Sequence, residues 1–320
     1  MDVLTYVKRN ANFSTLMLGA GTVFAGTAAA AIRGNMEIML AILCLIFVML
    51  AQLSANFAHN YYAASKYYDN LPRPRYSVYA HDEVKNQLAV RVLREASFAC
   101  AILAAVVGLG IMAISAAPYI VIGIGVLIVA FNYILNFGKN PAFGKPYTIL
   151  FTWLLFGPIG VIGTSMVQCQ HEATSLWSFF DHAPSLFLGP AMGFLACNVH
   201  MSYSYSMFRL DPERKSRGMT YILGPRFVEI LFIINGLLML GLIIFKVFFL
   251  DYPQPEIAIV PAFVAFALNT YIGIRMRFVP VGELQHLTMM VKVNYLLTGV
   301  VTFIVWWWIG MPDDSFRTLF

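Results

Sequence analysis

Two short stretches hold most of the side chains in this sequence that could do chemistry. The first, Asn56-Phe-Ala-His59-Asn60-Tyr61-Tyr62-Ala63-Ala64-Ser65-Lys66-Tyr67-Tyr68-Asp69, follows an almost unbroken apolar run from Met39 to Leu53. Asn56, His59, Asn60 and Ala63 are spaced i, i+3, i+4, i+7, which places them on one face of a helix. The second, Asn198-Val-His200-Met-Ser202-Tyr203-Ser204-Tyr205-Ser206-Met207-Phe-Arg209-Leu-Asp211, has the same character and the same length. Asp69 and Asp211 can hold a hard cation. His59 and His200 can carry a proton or hold a softer metal. Lys66, Arg73, Arg75, Arg209, Arg214 and Arg217 can grip an anion. Tyr61, Tyr62, Tyr67, Tyr68, Tyr203 and Tyr205 can cover a cation with their ring faces or stack on a quinone, and an interfacial aromatic belt would use the same residue type. The pattern is that of two polar helix ends facing one another around a polar ligand.

The elements that must position these ends are membrane helices. Residues are 59% hydrophobic and only 12% charged, with a mean hydropathy of +0.72, which excludes an ordinary water-soluble domain. A bilayer crossing needs about 20 apolar residues. Such segments fall near 13–32, 36–57, 95–115, 118–137, 147–167, 184–206, 227–250, 256–274 and 289–310. This predicts an all-α polytopic bundle of nine spans, a single integral membrane domain over 1–320. Asp2, Lys8 and Arg9 precede the first apolar run, and no small-residue cleavage site leads into a soluble domain, so a cleaved signal peptide is not expected. Cys44, Cys100, Cys169 and Cys197 are scattered singly, mostly in apolar runs, and read as packing residues.

With the N-terminus placed in the cytoplasm, all 21 Lys and Arg except Arg33, Lys246 and Arg317 fall on the cytoplasmic side. That bias supports an odd number of spans and this orientation in the inner or plasma membrane. It also accounts for the positive net charge without a nucleic-acid partner. Both polar helix ends then lead into long basic connections, 67–94 and 207–226, which are expected to cap a cavity that receives an anion. Within the first, Pro72-Arg-Pro74 stops the helix and Asp82-Glu83-Val84-Lys85 opens a short amphipathic helix to Glu95. Trp306, Trp307 and Trp308 are expected at the outer interface of the last helix.

The chain resembles the UbiA superfamily of intramembrane prenyltransferases, in particular the branch that prenylates dihydroxynaphthoate for menaquinone. The opening Asn of that family's first signature matches Asn56, and its closing Asp matches Asp69; Tyr61, Tyr62 and Lys66 are similar to residues common in the branch. The family's Asn-Asp pair falls on His59-Asn60 and its middle Asp on Ala63. The second signature falls on Tyr203, Ser204, Ser206, Met207 and Asp211, so that only the last acidic residue matches. Asn136-Phe-Gly138 through Tyr147, Leu155-Phe-Gly157-Pro158 through Thr164, Leu223-Gly224-Pro-Arg226-Phe, and Leu268-Asn269 through Leu297 look like other parts of the family, and the resemblance covers essentially the whole chain.

The resemblance implies nine transmembrane helices and transfer of a polyprenyl group from its diphosphate to an aromatic acceptor. In such enzymes Mg²⁺ held by the signature aspartates grips the diphosphate. Carried over residue by residue, it implies Asp69 and Asp211 as metal ligands. By their own chemistry His59 and His200 are candidates beside them in catalysis, and Asn56, Asn60, Lys66, Arg73, Tyr203, Ser204, Arg209 and Arg214 are candidates toward substrate. Most of the family's metal-binding aspartates are missing here, and a site with a single Asp would hold Mg²⁺ weakly. A second reading is therefore a non-catalytic relative that binds a quinone or isoprenoid, or serves beside a partner membrane subunit. A transporter is the weakest reading, because no pair of Gly- or Pro-broken segments recurs in corresponding halves.

Overall fold

The structure, a computed structural model, describes residues 7–8, 10–68, 83–115, 118–136, 147–168, 183–210, 212, 218–249 and 254–311; within these, the side chains of 63–68, 83–89, 132, 133, 135, 136, 183 and 249 are not described. Among the described residues there are helices and turns and no strand. That is what lipid demands of a chain with few polar side chains, since a helix satisfies its own backbone donors and acceptors.

The helices are α1 (Leu16–Ala31), α2 (Ile38–Tyr68), α3 (Glu83–Ile114), α4 (Pro118–Asn136), α5 (Thr148–Leu154), α6 (Gly160–Gln168), α7 (Ala183–Leu210), α8 (Met219–Leu223), α9 (Pro225–Phe249), α10 (Pro255–Ala258), α11 (Val260–Met276) and α12 (Leu284–Gly310). Proline opens α4, α9 and α10, where its missing N–H costs nothing. Gly34 closes α1 at φ 72°, with Asn35 N–H donating to Ala30 O and Gly34 N–H to Ala31 O, a cap that needs a left-handed residue. Among the described residues, seven stretches are long and apolar enough to cross a membrane: Phe13–Ala31, Ile38–Tyr62, Val90–Ile114, Thr148–Gln168, Pro225–Phe248, Pro255–Met276 and Val281–Gly310. The other two expected spans fall on α4, whose apolar part is the shorter Pro118–Phe131, and on α7, which is 28 residues long but carries the second polar stretch.

Helix α1 lies at the centre, with Ala25 and Ala28 to Ala30 fully buried. It packs backbone to backbone against α12. A Cβ on Gly299 would stand 2.3 Å from the Gly21 carbonyl oxygen, and one on Gly310 would stand 2.4 Å from the oxygen of Ala31. Lipid gives helices no hydrophobic reason to associate, so close approach through small residues supplies the packing. Apolar residues such as Ile42 and Ile46 on α2, Phe98 and Val106 on α3, and Ile122 and Val129 on α4 are left exposed, as suits helices that face lipid on one side.

Two expectations change. Helix α3 starts at Glu83 and runs unbroken for 32 residues, absorbing the short amphipathic helix, because no breaker separates Glu95 from the apolar run behind it. Trp306 is fully buried rather than facing an interface: its ring lies 3.5 Å under the Lys246 ammonium, and its indole N–H donates to Ala258 O at 3.1 Å. Trp307 and Trp308, 40% and 41% exposed, do face outward.

Candidate functional site

A cavity of about 940 Å³ opens between α1, α2, α3, α4, the α5–α6 unit, α7 and α12. Its polar end is formed by Asn12 and Ser14 before α1, Asn56, His59 and Asn60 on α2, His200 and Tyr203 on α7, and Gln285, Thr288 and Lys292 on α12. Toward the other end the wall turns apolar, with Phe47, Val48, Ile111, Val121, Ile124 and Ile128. Cys44 and His59 both line it, and at about 1.5 Å per residue they lie about 22 Å apart along α2. The shape is that of a long pocket for an amphiphile, with polar groups at one end.

The floor is built by a break in the helix between α5 and α6. Leu155–Ile159 forms a π-helical turn that contains Pro158, and Gly157 there has φ −111° and ψ −107°. The turn leaves the Phe156 carbonyl to side chains. Tyr295 O–H donates to it at 2.6 Å, and Thr22 Oγ1 lies 3.1 Å from it and 2.7 Å from the tyrosine oxygen. Glycine is required where this turn meets α7, because a Cβ on Gly157 would stand 2.6 Å from the Cα of Gly193. Such turns recur at functional sites.

The structure brings some of the sequence-expected residues to the cavity and leaves others elsewhere. Asn56, His59, Asn60, His200 and Tyr203 line it. The two amides also fasten the segment before α1: Asn56 Nδ2 donates to Ala11 O at 2.7 Å and to Thr15 Oγ1 at 2.9 Å, and Asn60 Nδ2 donates to Asn10 O at 2.9 Å. Gln52, one turn before Asn56, donates to Thr15 O at 2.6 Å and accepts from Gly19 N–H at 3.2 Å.

Ser204 is buried away from the cavity and accepts a hydrogen bond from Thr220 N–H at 3.1 Å. Arg209 lies over the end of α11, donating to the carbonyls of Met276, Arg277 and Val279 at 3.3 to 3.5 Å. A guanidinium there complements the negative end of that helix. Lys66 lies on α2, but its side chain is not described; Asp69, Arg73, Asp211 and Arg214 lie outside the described residues.

Sequence reasoning counted Lys292 only among the charges of one membrane face. In the structure it stands on the inner face of α12 and lines the cavity, its ammonium donating to Ser14 Oγ at 2.7 Å. The signal was available. Gln285, Thr288, Met289 and Lys292 repeat the i, i+3, i+4, i+7 spacing of the first stretch, and all four line the cavity.

Among the described residues no group of three or more His, Cys, Asp or Glu could hold a metal ion, and no carboxylate lines the cavity. Mg²⁺ asks for carboxylate and other hard oxygen ligands. The described lining, with amides, imidazoles, hydroxyls and an ammonium, does not fit it.

The fold and cavity define a helical membrane bundle built around a pocket for an amphiphile. No protein-family model matches the chain, and no curated protein matches it. Solved structures do. A UbiA homolog from Archaeoglobus fulgidus, bound to GPP and Mg²⁺, aligns over 93% of this chain and 99% of its own, with a TM-score of 0.60 and 11% identity. A digeranylgeranylglyceryl phosphate synthase aligns over 94% and 99%, with a TM-score of 0.52 and again 11% identity. The chain therefore has a UbiA-like fold.

Proposed function

We propose that this chain is a divergent UbiA-type prenyltransferase of the nine-span kind with its N-terminus in the cytoplasm. In this reading it transfers a polyprenyl group from its diphosphate to an aromatic, quinone-precursor acceptor. The observation that carries it is the elongated cavity, polar at one end and apolar along the other, in a fold shared with a homolog bound to GPP. The apolar wall receives the isoprenoid chain. The polar end receives the diphosphate and the ring.

Heterolysis of the allylic C–O bond sends its electron pair to the diphosphate. A ring carbon of the acceptor then bonds the allylic carbon, and the ring proton leaves. His59 and His200 both face the cavity, and either imidazole can take that proton. The Tyr203 ring, also in the lining, can shelter positive charge on the allyl group. The basic connections 67–94 and 207–226, with Lys66, Arg73 and Arg214, complete the capture of the anion. Asp69 and Asp211 are the carboxylates whose removal tests any use of metal.

One observation favours a second reading, a relative that binds a quinone or isoprenoid without transferring it, alone or beside a partner subunit. No carboxylate stands on the described cavity wall. The two separate in one experiment: the purified protein in lipid is given labelled prenyl diphosphate with and without Mg²⁺, beside Asp69→Ala and Asp211→Ala. Mg²⁺-dependent diphosphate release that disappears in both variants supports the transferase. Retention of the isoprenoid with no release supports the binding protein, and retention of nothing by a well-folded sample overturns the transferase and leaves a bound quinone or a partner subunit.

A further inference from the structure

We propose that Lys292 is an anion-binding residue of this cavity, receiving the phosphate-bearing head of a lipid, isoprenoid or phospholipid, directly, without a metal between them. The proposal rests on the cavity being a lipid site, as argued above, but assigns its polarity to a residue outside both polar stretches.

Lysine inside a membrane helix is costly and is kept where it faces a cavity or a partner. Lys292 is half-buried on α12, two turns into the last apolar helix, and faces the cavity. Its partner among the described residues is Ser14 Oγ at 2.7 Å, and that hydroxyl in turn donates to Asn12 Oδ1 at 3.1 Å. Both partners are neutral. Thr288, one turn before, is engaged with Ser206 at 3.1 Å, again a neutral contact. An ammonium has three donors, and a single hydroxyl takes one.

The described wall thus presents a positive charge whose contacts are neutral, beside two imidazoles and amides, at the mouth of an apolar pocket. That is the inverse of a Mg²⁺ cradle, where carboxylates surround the metal and the metal meets the phosphate. A lysine reaching phosphate oxygens directly does the same neutralisation as a point charge. Ser14 lies on the segment that Asn56 and Asn60 fasten, so the same contact ties that segment to α12 until an anion replaces it.

The test measures binding of geranylgeranyl diphosphate, geranylgeraniol and a phosphatidate to the full chain in phosphatidylcholine nanodiscs containing EDTA, beside Lys292→Gln and Lys292→Arg. A charge-assisted contact predicts that the diphosphate binds about 10- to 100-fold more tightly than the alcohol, a preference lost in Lys292→Gln and largely kept in Lys292→Arg. A phosphatidate that shows the same Lys292-dependent binding while the diphosphate does not would identify the phosphate as a phospholipid headgroup. Alcohol bound equally by all three proteins, with the diphosphate no tighter or its preference intact in Lys292→Gln, overturns the assignment and leaves the cavity reading standing. Binding of none of the three overturns the cavity reading itself. Should Lys292→Gln not fold, amine acylation of the wild-type protein read by mass spectrometry decides the matter. Protection of Lys292 by diphosphate or phosphatidate but not by alcohol supports the proposal, and equal labelling throughout refutes it.

Discussion

The two polar helix ends look alike in sequence and are used differently in the structure. On α2, Asn56, His59 and Asn60 all line the cavity, and the two amides also hold the segment before α1, while Ile38, Met39, Ile42 and Ile46 remain exposed on the same helix. On α7 the polar residues divide around the helix. His200, Tyr203 and Met207 face the cavity, whereas Asn198, Ser204, Tyr205 and Arg209 face other helices. A membrane helix with one side open to lipid has a single place for polar groups. A helix surrounded by protein can use them as glue on any side.

The sharpest break between the two ends lies at their opening asparagines. Asn198 is fully buried; its Nδ2 donates to Phe232 O at 2.9 Å and to Asn269 Oδ1 at 2.7 Å, while its Oδ1 accepts from Asn235 at 2.8 Å. Three helices meet there. Gly236 makes the approach possible, since a Cβ on it would stand 2.5 Å from the Asn269 amide. Asn198→Leu takes the donor from Asn269 Oδ1 and the carbonyl acceptor from Asn235 Nδ2 in a buried site, and the expected loss is about 3 kcal/mol of stability, read from denaturant or thermal unfolding in detergent. Asn56→Ala at the equivalent place on α2 removes two hydrogen bonds at a partly buried site, and about 1 kcal/mol is expected. That loss should be local, seen as faster hydrogen exchange over 10–15 with the rest of the bundle unchanged. Equal global losses in the two variants would show that the ends are not used differently.

The same contrast explains what could be read from the sequence. The apolar runs, their spacing and the fold class were legible, because a run of apolar residues has one stable form in lipid. The α2 end was legible as one polar face, and that face lines the cavity. At the α7 end, spacing could not tell Ser204 and Arg209 from His200 and Tyr203. Which face of a buried helix meets a cavity is decided by neighbours distant in sequence, here α8 with Thr220 and the end of α11. Lys292 escaped notice for a related reason: a lone basic residue near a helix start reads as a topology signal, and only the fold of α12 against α1 turns it inward. Trp306 followed the same course, read as an interfacial ring and found buried under Lys246.

A smaller effect is expected at Ser204. Replacing it with alanine strips the Thr220 N–H of its acceptor at the start of α8, and about 1 kcal/mol should be lost. Prenyl diphosphate binding should be unchanged, because Ser204 does not line the cavity. A binding loss without a stability loss would return Ser204 to the site that its position in the sequence suggested.

His200 should behave in the opposite way, four residues earlier on the same helix. It lines the cavity, and no hydrogen bond from its ring to a described residue holds the bundle together. Truncation to alanine should change stability by no more than about 0.5 kcal/mol, the range of positions without a structural role. It should lower turnover, or binding if the chain transfers nothing, and the split between these two readouts carries information. A fall in turnover with prenyl diphosphate affinity unchanged assigns the imidazole to proton removal from the acceptor, whereas a fall in affinity alone assigns it to holding the head. A stability loss as large as that of Asn198→Leu would place His200 among the packing residues, and α7 would then contribute little beyond Tyr203 to the cavity's chemistry.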